Sequence, residues 1–290
     1  MQLETIKFNN KITLALLSLI LGCYLFLCLS FSKEMLRLNL IIFFGVLIYF
    51  YFKDLKSNIS LKLYFLLILL ICLGSPATNW DLRSIYLFHT KRIFFDPSIY
   101  SIIDNYAQFS HNDYPLLLSA FASSFVFLIG YWNEILPKTA FTFVYLPPLI
   151  FLSSYLDKKK YMIFLSAVIF FVGQYLFNGG ADGVLAVYLI TCIFCYYYIF
   201  FEKNSKKDYL FYFLTLLFSI CLTLIKNEGL ALLLIIFVSI IILKFFDETI
   251  KLDFIKIIFL STSFIPMFLW KLFCLKNDIS NQFIHSESLN

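Results

Sequence analysis

The sequence predicts an all-α, polytopic membrane protein, with about nine helices crossing the bilayer and one long outer loop that carries interfacial or re-entrant helices. Three observations lead there. Of the 290 residues, 61% are hydrophobic and only 14% charged, whereas a soluble domain carries roughly 25% charged residues. The apolar residues fall in blocks of roughly 15 to 20, the length that crosses a hydrocarbon core about 30 Å thick. The charges sit in the connections between these blocks.

Nearly charge-free windows place spans near 12–31, 38–52, 63–78, 139–156, 161–178, 184–201, 209–225, 230–246 and 255–273. The first follows a lysine-containing start, runs too long for a signal sequence and lacks a small-residue cleavage site, so it reads as an uncleaved helix. "LILGC" has some likeness to a lipoprotein cleavage box, but the "YLFLCLS" after it is still membrane-like. A tenth apolar piece, 115–132, either crosses or lies as a half-buried helix. If it crosses, "DKKK" (157–160) and "EKNSKKD" (202–208) fall on the outer side. If it only dips in, both lysine clusters are cytoplasmic, as the positive-inside rule prefers. The second threading gives a cytoplasmic N-terminus and a single module over 1–290, with 79–138 as an outer loop.

The net charge of +5 comes from cations scattered through short loops, which speaks for topology and against a nucleic-acid partner. The seven cysteines lie almost entirely in apolar runs, where they behave as small hydrophobes. Cys192 and Cys195 have CxxC spacing without a second ligand pair.

The charge gathers in "NWDLRSIYLFHTKRIFFD" (79–96), which holds two of the three arginines. Leu82, Ile85, Tyr86 and Ile93 recur there at helical spacing, with Arg83, Ser84, Lys91 and Arg92 largely elsewhere. Such a helix lies in the headgroup plane. Two readings stay open for its start. Asp81 caps the helix while the cations meet lipid phosphates. Alternatively, Asp81 is a general base at the membrane surface and the cations bind a phosphate. In "HNDYP" (111–115), Asp113 and Pro115 suit a helix start, which leaves His111 unexplained. "NGGADG" is a tight turn in which Asp182 can cap the next span. "LIKNEG" puts Lys226 at a helix C-terminus, with Gly229 permitting a sharp reversal and Glu228 between them. On the second threading Asp81, Asp113, Asp182 and Glu228 share one face of the membrane.

These stretches resemble the GT-C glycosyltransferases, polytopic enzymes that include protein O-mannosyltransferases and the lipid A aminoarabinose transferase. "WDLRSIYLFHTKRIFFD" looks like that family's first-loop acidic motif. "HNDYPLLLSAF" is similar to its His-x-Asp-Tyr-Pro element, "NGGADGVLAVYLI" to its second acidic motif, and "LIKNEGLALLL" to a Lys-Asn-Glu-Gly turn of some bacterial members. The resemblance covers roughly 79–246. Gly183 stands where proline is commoner, and members usually continue beyond this length with more spans or an outer domain, so the resemblance implies a short or C-terminally incomplete form.

The resemblance implies an inverting transferase of the bacterial cytoplasmic membrane with its site facing outward. The donor is a polyprenyl-phosphate-linked sugar, and the acceptor an envelope glycan, lipid or protein. Asp81 is then the base. Arg83, Lys91, Arg92 or Lys226 faces the phosphate, and His111, Asp113, Asp182 and Glu228 hold sugar or acceptor. Some members use a divalent ion, for which Asp81 and Asp182 are oxygen ligands that suit Mg2+ or Mn2+. A polysaccharide polymerase or ligase is the nearest rival, and it would use arginine and histidine without the early aspartate. A transporter or flippase of lipid-linked sugars would carry ionisable groups in mid-span or an inverted repeat.

Overall fold

The computed structural model describes residues 2–53, 59–103, 110–201, 209–246 and 254–279. Among them it is helical, without strands. Six stretches are long and apolar enough to cross a membrane: Glu4–Cys28, Lys33–Lys53, Ile135–Tyr155, Ala181–Phe200, Asn227–Phe246 and Phe254–Lys276. The first two lie in helices α1 (Gln2–Cys28) and α2 (Lys33–Lys53). The expected spans at 63–78 and 209–225 are helices α3 (Ile59–Gly74) and α10 (Tyr209–Ile225), of 16 and 17 residues. Both are shorter than the roughly 20 residues of a full crossing. The span expected at 161–178 lies in α8 (Lys158–Asn178), whose N-cap is Asp157.

Two of the crossing stretches are broken where proline forbids a regular helix. Ile135–Tyr155 divides at Tyr145 into α6 (Ile135–Val144) and α7 (Leu146–Tyr155), with Pro147 and Pro148 in the first turn of α7. The last stretch divides around the 3-10 turn Thr262–Phe264 into α12 (Phe254–Ser261) and α13 (Ile265–Lys276), with Pro266 opening the second part. The spans expected at 184–201 and 230–246 lie in α9 (Ala181–Phe200) and α11 (Asn227–Phe246).

The piece at 115–132 is covered by protein along most of its helix. Helix α5 (Leu117–Ile129) is buried from Leu117 to Phe127 and ends at Gly130 in the left-handed conformation. It packs against α1, α2 and α6. Its 13 residues rise about 20 Å at 1.5 Å each. Small residues allow this close approach. Ser123 and Ser124 return their hydroxyls to the carbonyls of Ala120 and Phe121, at 2.8 and 2.6 Å. Phe121 and Phe125 then meet Phe43 and Phe44 of α2 edge-on, centroids 5.1 and 5.6 Å apart.

The charge-rich segment 79–96 forms the expected amphipathic element, with one local departure. Leu82–Tyr86 is a π-helical turn that leads into α4 (Leu87–Phe95). Leu82, Ile85, Tyr86 and Ile93 are buried, while Arg83 and Lys91 are exposed. The buried face packs against α5 and α6, so it meets protein where the sequence suggested lipid.

The bundle has two chemically distinct ends. At one, Asn9 and Asn10 of α1 donate to Ser154 and Tyr155 of α7 at 2.9 and 2.8 Å. Lys158–Lys160 open α8 here, and Lys62 donates to the Tyr51 carbonyl at 3.1 Å. At the other, Ser75 just past α3 donates to the Phe177 carbonyl of α8 at 2.7 Å, and the chain enters α9 carrying Asp182. Trp80, Phe95, Tyr100 and Tyr131 are exposed in the segments that gather at this second end, as interfacial aromatics are. The cluster 202–208 and the loop stretch 104–109 lie outside the described residues. Cysteines introduced as Lys159→Cys and Tyr131→Cys should react with a membrane-impermeant maleimide from opposite sides of intact vesicles. Labelling of both from one side would contradict this two-ended arrangement.

Candidate functional site

The acid-bearing turns meet at the second end, and none of their aspartates serves as a helix cap. Leu82 N donates to the Asn79 side chain at 3.0 Å, while Asp81, at the N-cap position, makes no capping bond. Gly180, not Asp182, stands at the N-cap of α9. Leu116, not Asp113, precedes α5. The capping readings of Asp81, Asp113 and Asp182 are therefore corrected by the geometry, and their carboxylates are committed elsewhere or left open.

Lys226, between α10 and α11, stands at the centre. Its Nζ is 2.9 Å from Asp182 Oδ1 and 3.5 Å from Glu228 Oε1, with only 12% of the side chain exposed. It also lies 5.8 Å from the centroid of the Tyr114 ring, and Tyr114 donates its hydroxyl to Glu228 Oε1 at 3.3 Å. Burial opposes the charge on Lys226, but the hydrogen bond it donates to Asp182 and the charges of Asp182, Glu228 and Asp81 outweigh it and hold the ammonium above the ordinary lysine range. Gly229 does more than permit a reversal. A Cβ there would lie 1.9 Å from the Leu222 carbonyl oxygen, so only glycine lets the first turn of α11 press against α10. Gly183 is crowded by side chains instead: a Cβ there would meet the Tyr145 hydroxyl at 2.2 Å and Val172 and Tyr175 of α8 at 2.7 and 2.8 Å.

A second cation was missed in the sequence. Lys271 of α13 reaches Asp113 Oδ2 at 3.2 Å, and Asn227 donates to the same oxygen at 2.7 Å. Trp270 donates its indole N–H to the Asp113 carbonyl at 2.8 Å. Lys271 is an ionisable residue inside the apolar run "FLWKLFC", where such a group is costly without a partner. That was its readable signal. Tyr86 was also missed as a site residue, being read as part of the apolar face. Its hydroxyl is buried without a hydrogen-bond partner in the structure. Burial, then the charges of Tyr114, Asp182, Glu228 and Asp81, push that phenol well above its ordinary range.

The two loop histidines do different things. His89 is buried and bonded through Nε2 to the Ser110 carbonyl at 2.9 Å, which anchors "HNDYP". His111 holds a left-handed backbone, φ 46°, and stacks on Tyr114 at 4.7 Å between centroids. Arg83, Lys91 and Arg92 are not drawn into the acid cluster. Arg83 lies 4.0 Å from Glu134, Lys91 5.8 Å from the Trp132 centroid, and Arg92 3.4 Å from the Asn112 side-chain oxygen. Among the described residues no three of His, Cys, Asp and Glu are grouped to hold a metal ion. Asp182, expected as a possible ligand, faces the Lys226 ammonium instead.

Searches against family models, curated proteins and solved structures return no match to this chain. The functional reading therefore stands on the residues and their geometry.

Burial pulls the His89 ring down from 6.5 to about 4, against the opposing bond to Ser110. Between those values the unfolded chain binds a proton that the folded chain refuses. Stability is thus complete above the unfolded value and falls as pH drops through the window, by up to roughly 1.4 kcal/mol per pH unit. Thermal unfolding of the detergent-purified chain should show a lower midpoint near pH 5.5 than near pH 7.5, and His89→Gln should flatten that difference. An equally steep dependence in the variant would contradict the assignment.

Proposed function

We propose that this chain is a membrane glycosyltransferase of the GT-C type. In this reading it moves a sugar from a polyprenyl-phosphate carrier to a hydroxyl of an envelope lipid, glycan or protein, at the outer face of the bacterial cytoplasmic membrane. The full nine-span count and the cytoplasmic N-terminus belong to the same reading. The observation that carries it is the convergence of Asp81, Asp113, Asp182 and Glu228 with Lys226 and Lys271 at one end of an apolar bundle, where the aspartates are free of capping duty. The lysine-rich opposite end supports the orientation, because cytoplasmic connections retain lysine.

The reaction is a displacement with inversion. Asp81 takes the proton of the acceptor hydroxyl, and the acceptor oxygen forms a bond to the anomeric carbon. The bond from that carbon to the phosphate oxygen breaks, and the lipid phosphate leaves with the electron pair. Asp182, Glu228, Asp113 and His111 hold hydroxyls of sugar or acceptor. Lys226 and Lys271 balance the carboxylates and face the leaving phosphate. Tyr86 adds a buried hydroxyl donor to the same site. A Mg2+ or Mn2+ ion would be held by Asp81 and Asp182 and would add to the positive charge that the lysines supply.

The test is transfer from labelled polyprenyl-phosphate sugars in membranes holding either the intact chain or Asp81→Asn. A general base contributes about 10²–10⁴-fold, so the variant should lose at least about 10²-fold while keeping its thermal midpoint. Equal transfer by the two chains would end the assignment of Asp81.

A further inference from the structure

The exposed face of the 82–95 helical segment has its own cavity, separate from the acid cluster. Arg83, Ser84, Leu87, Phe88 and Lys91 form one wall, and Trp132 and Glu134, from the turn between α5 and α6, form the other. The cavity measures about 350 Å³, within the range of small-molecule sites. Its aromatic wall is fixed from behind, where Phe94 lies 6.4 Å from Trp132 between centroids. The α5–α6 turn is fixed by Leu136 N, which donates to Asn133 at 2.9 Å.

The lining has a specific chemistry. Trp132 offers an indole face beside the Lys91 ammonium, at 5.8 Å. Arg83 and Glu134, 4.0 Å apart, offer planar donors and acceptors side by side, suited to vicinal hydroxyls. Two cations against one carboxylate leave the groove net positive. An aromatic face takes the C–H side of a sugar ring, the Arg–Glu pair takes its hydroxyls, and the surplus cation takes an anionic substituent. A phospholipid headgroup without an amine would use the cations but neither the indole face nor the carboxylate.

We propose that this groove binds the acceptor, and that the acceptor is a saccharide bearing a phosphate or carboxylate group. This rests on the transferase reading and adds a substrate class to it. Arg83 follows Asp81 by two residues on the same helical segment, which turns the two onto different faces, so the groove takes a part of the acceptor remote from the reacting hydroxyl and does not share the donor-side lysines.

The test titrates the full chain, in phosphatidylcholine nanodiscs, with glucose 6-phosphate, glucose and inorganic phosphate by calorimetry. Glucose 6-phosphate should bind at least about tenfold tighter than either simpler probe, and Lys91→Glu and Trp132→Ala should each weaken it by about tenfold or more. Lys91 is exposed, so its replacement leaves folding intact. Phosphate binding as tightly as the sugar phosphate would overturn the proposal and assign the cations to lipid headgroups, as would unchanged binding by Lys91→Glu. Asp81→Asn should bind glucose 6-phosphate like the parent chain. Failure of the base assignment therefore shows in transfer alone, and failure of the groove shows in binding alone.

Discussion

The ammonium of Lys226 holds this end of the protein together. It pairs with Asp182 from the first turn of α9 and with Glu228 from the first turn of α11. The lysine is mostly buried while both carboxylates are about half exposed. Desolvation of the ammonium offsets much of what the pairing contributes, so its presence speaks more for arrangement than for stability. The arrangement depends on two close approaches, of Gly229 to the Leu222 backbone and of Gly183 to the side chains of Tyr145, Val172 and Tyr175. A side chain at either glycine would push apart the helix ends whose carboxylates Lys226 brings within reach.

A second contact set continues the same logic. Asp113 is held by Asn227, Lys271 and Trp270, which ties the 110–114 loop to the start of α11 and to α13. His89 ties the other end of that loop to α4. The acid cluster is thus assembled from four segments distant in sequence, with little slack. The 82–95 segment borders it with two faces of different character. The inner face presents Tyr86 to the carboxylates, and the outer face presents cations to the Trp132 turn.

Much of the fold was legible because lipid imposes a simple rule: long apolar runs are helices. The segregation of Lys158–Lys160 from Asp182 was also readable, since the whole of α8 runs between the lysines and the turn that leads into α9. Burial was harder to read. Helix α5 is as apolar as a surface segment of a membrane protein would be, and only its serines and alanines hint at how closely its neighbours approach. The breaks at Tyr145 and Thr262–Phe264 follow prolines that an apolar window averages away. In the site, the four acids were legible as clustered charges, but their partners were not. Lys271 was hidden in a span that was read as almost charge-free, and Tyr86 in an apolar stripe. The π-helical turn at 82–86 has no sequence signature in the period used to place the helix. Arg83 and Lys91 were expected beside the donor phosphate from the resemblance, and the helix turns them toward Glu134 and Trp132.

The central claim is that Lys226 and Asp182 are energetically coupled as the organising pair of the acid cluster. The direct measurement is a double-mutant cycle on the purified chain, comparing the unfolding free energies of Asp182→Asn, Lys226→Met and the double variant. Contacting charges with shared partners give interaction energies of about 0.5–3 kcal/mol, and the exposed part of Asp182 places this pair toward the lower half of that range. The account predicts that the double variant loses less stability than its two components added together, by at least about 0.5 kcal/mol. Simple additivity would contradict it.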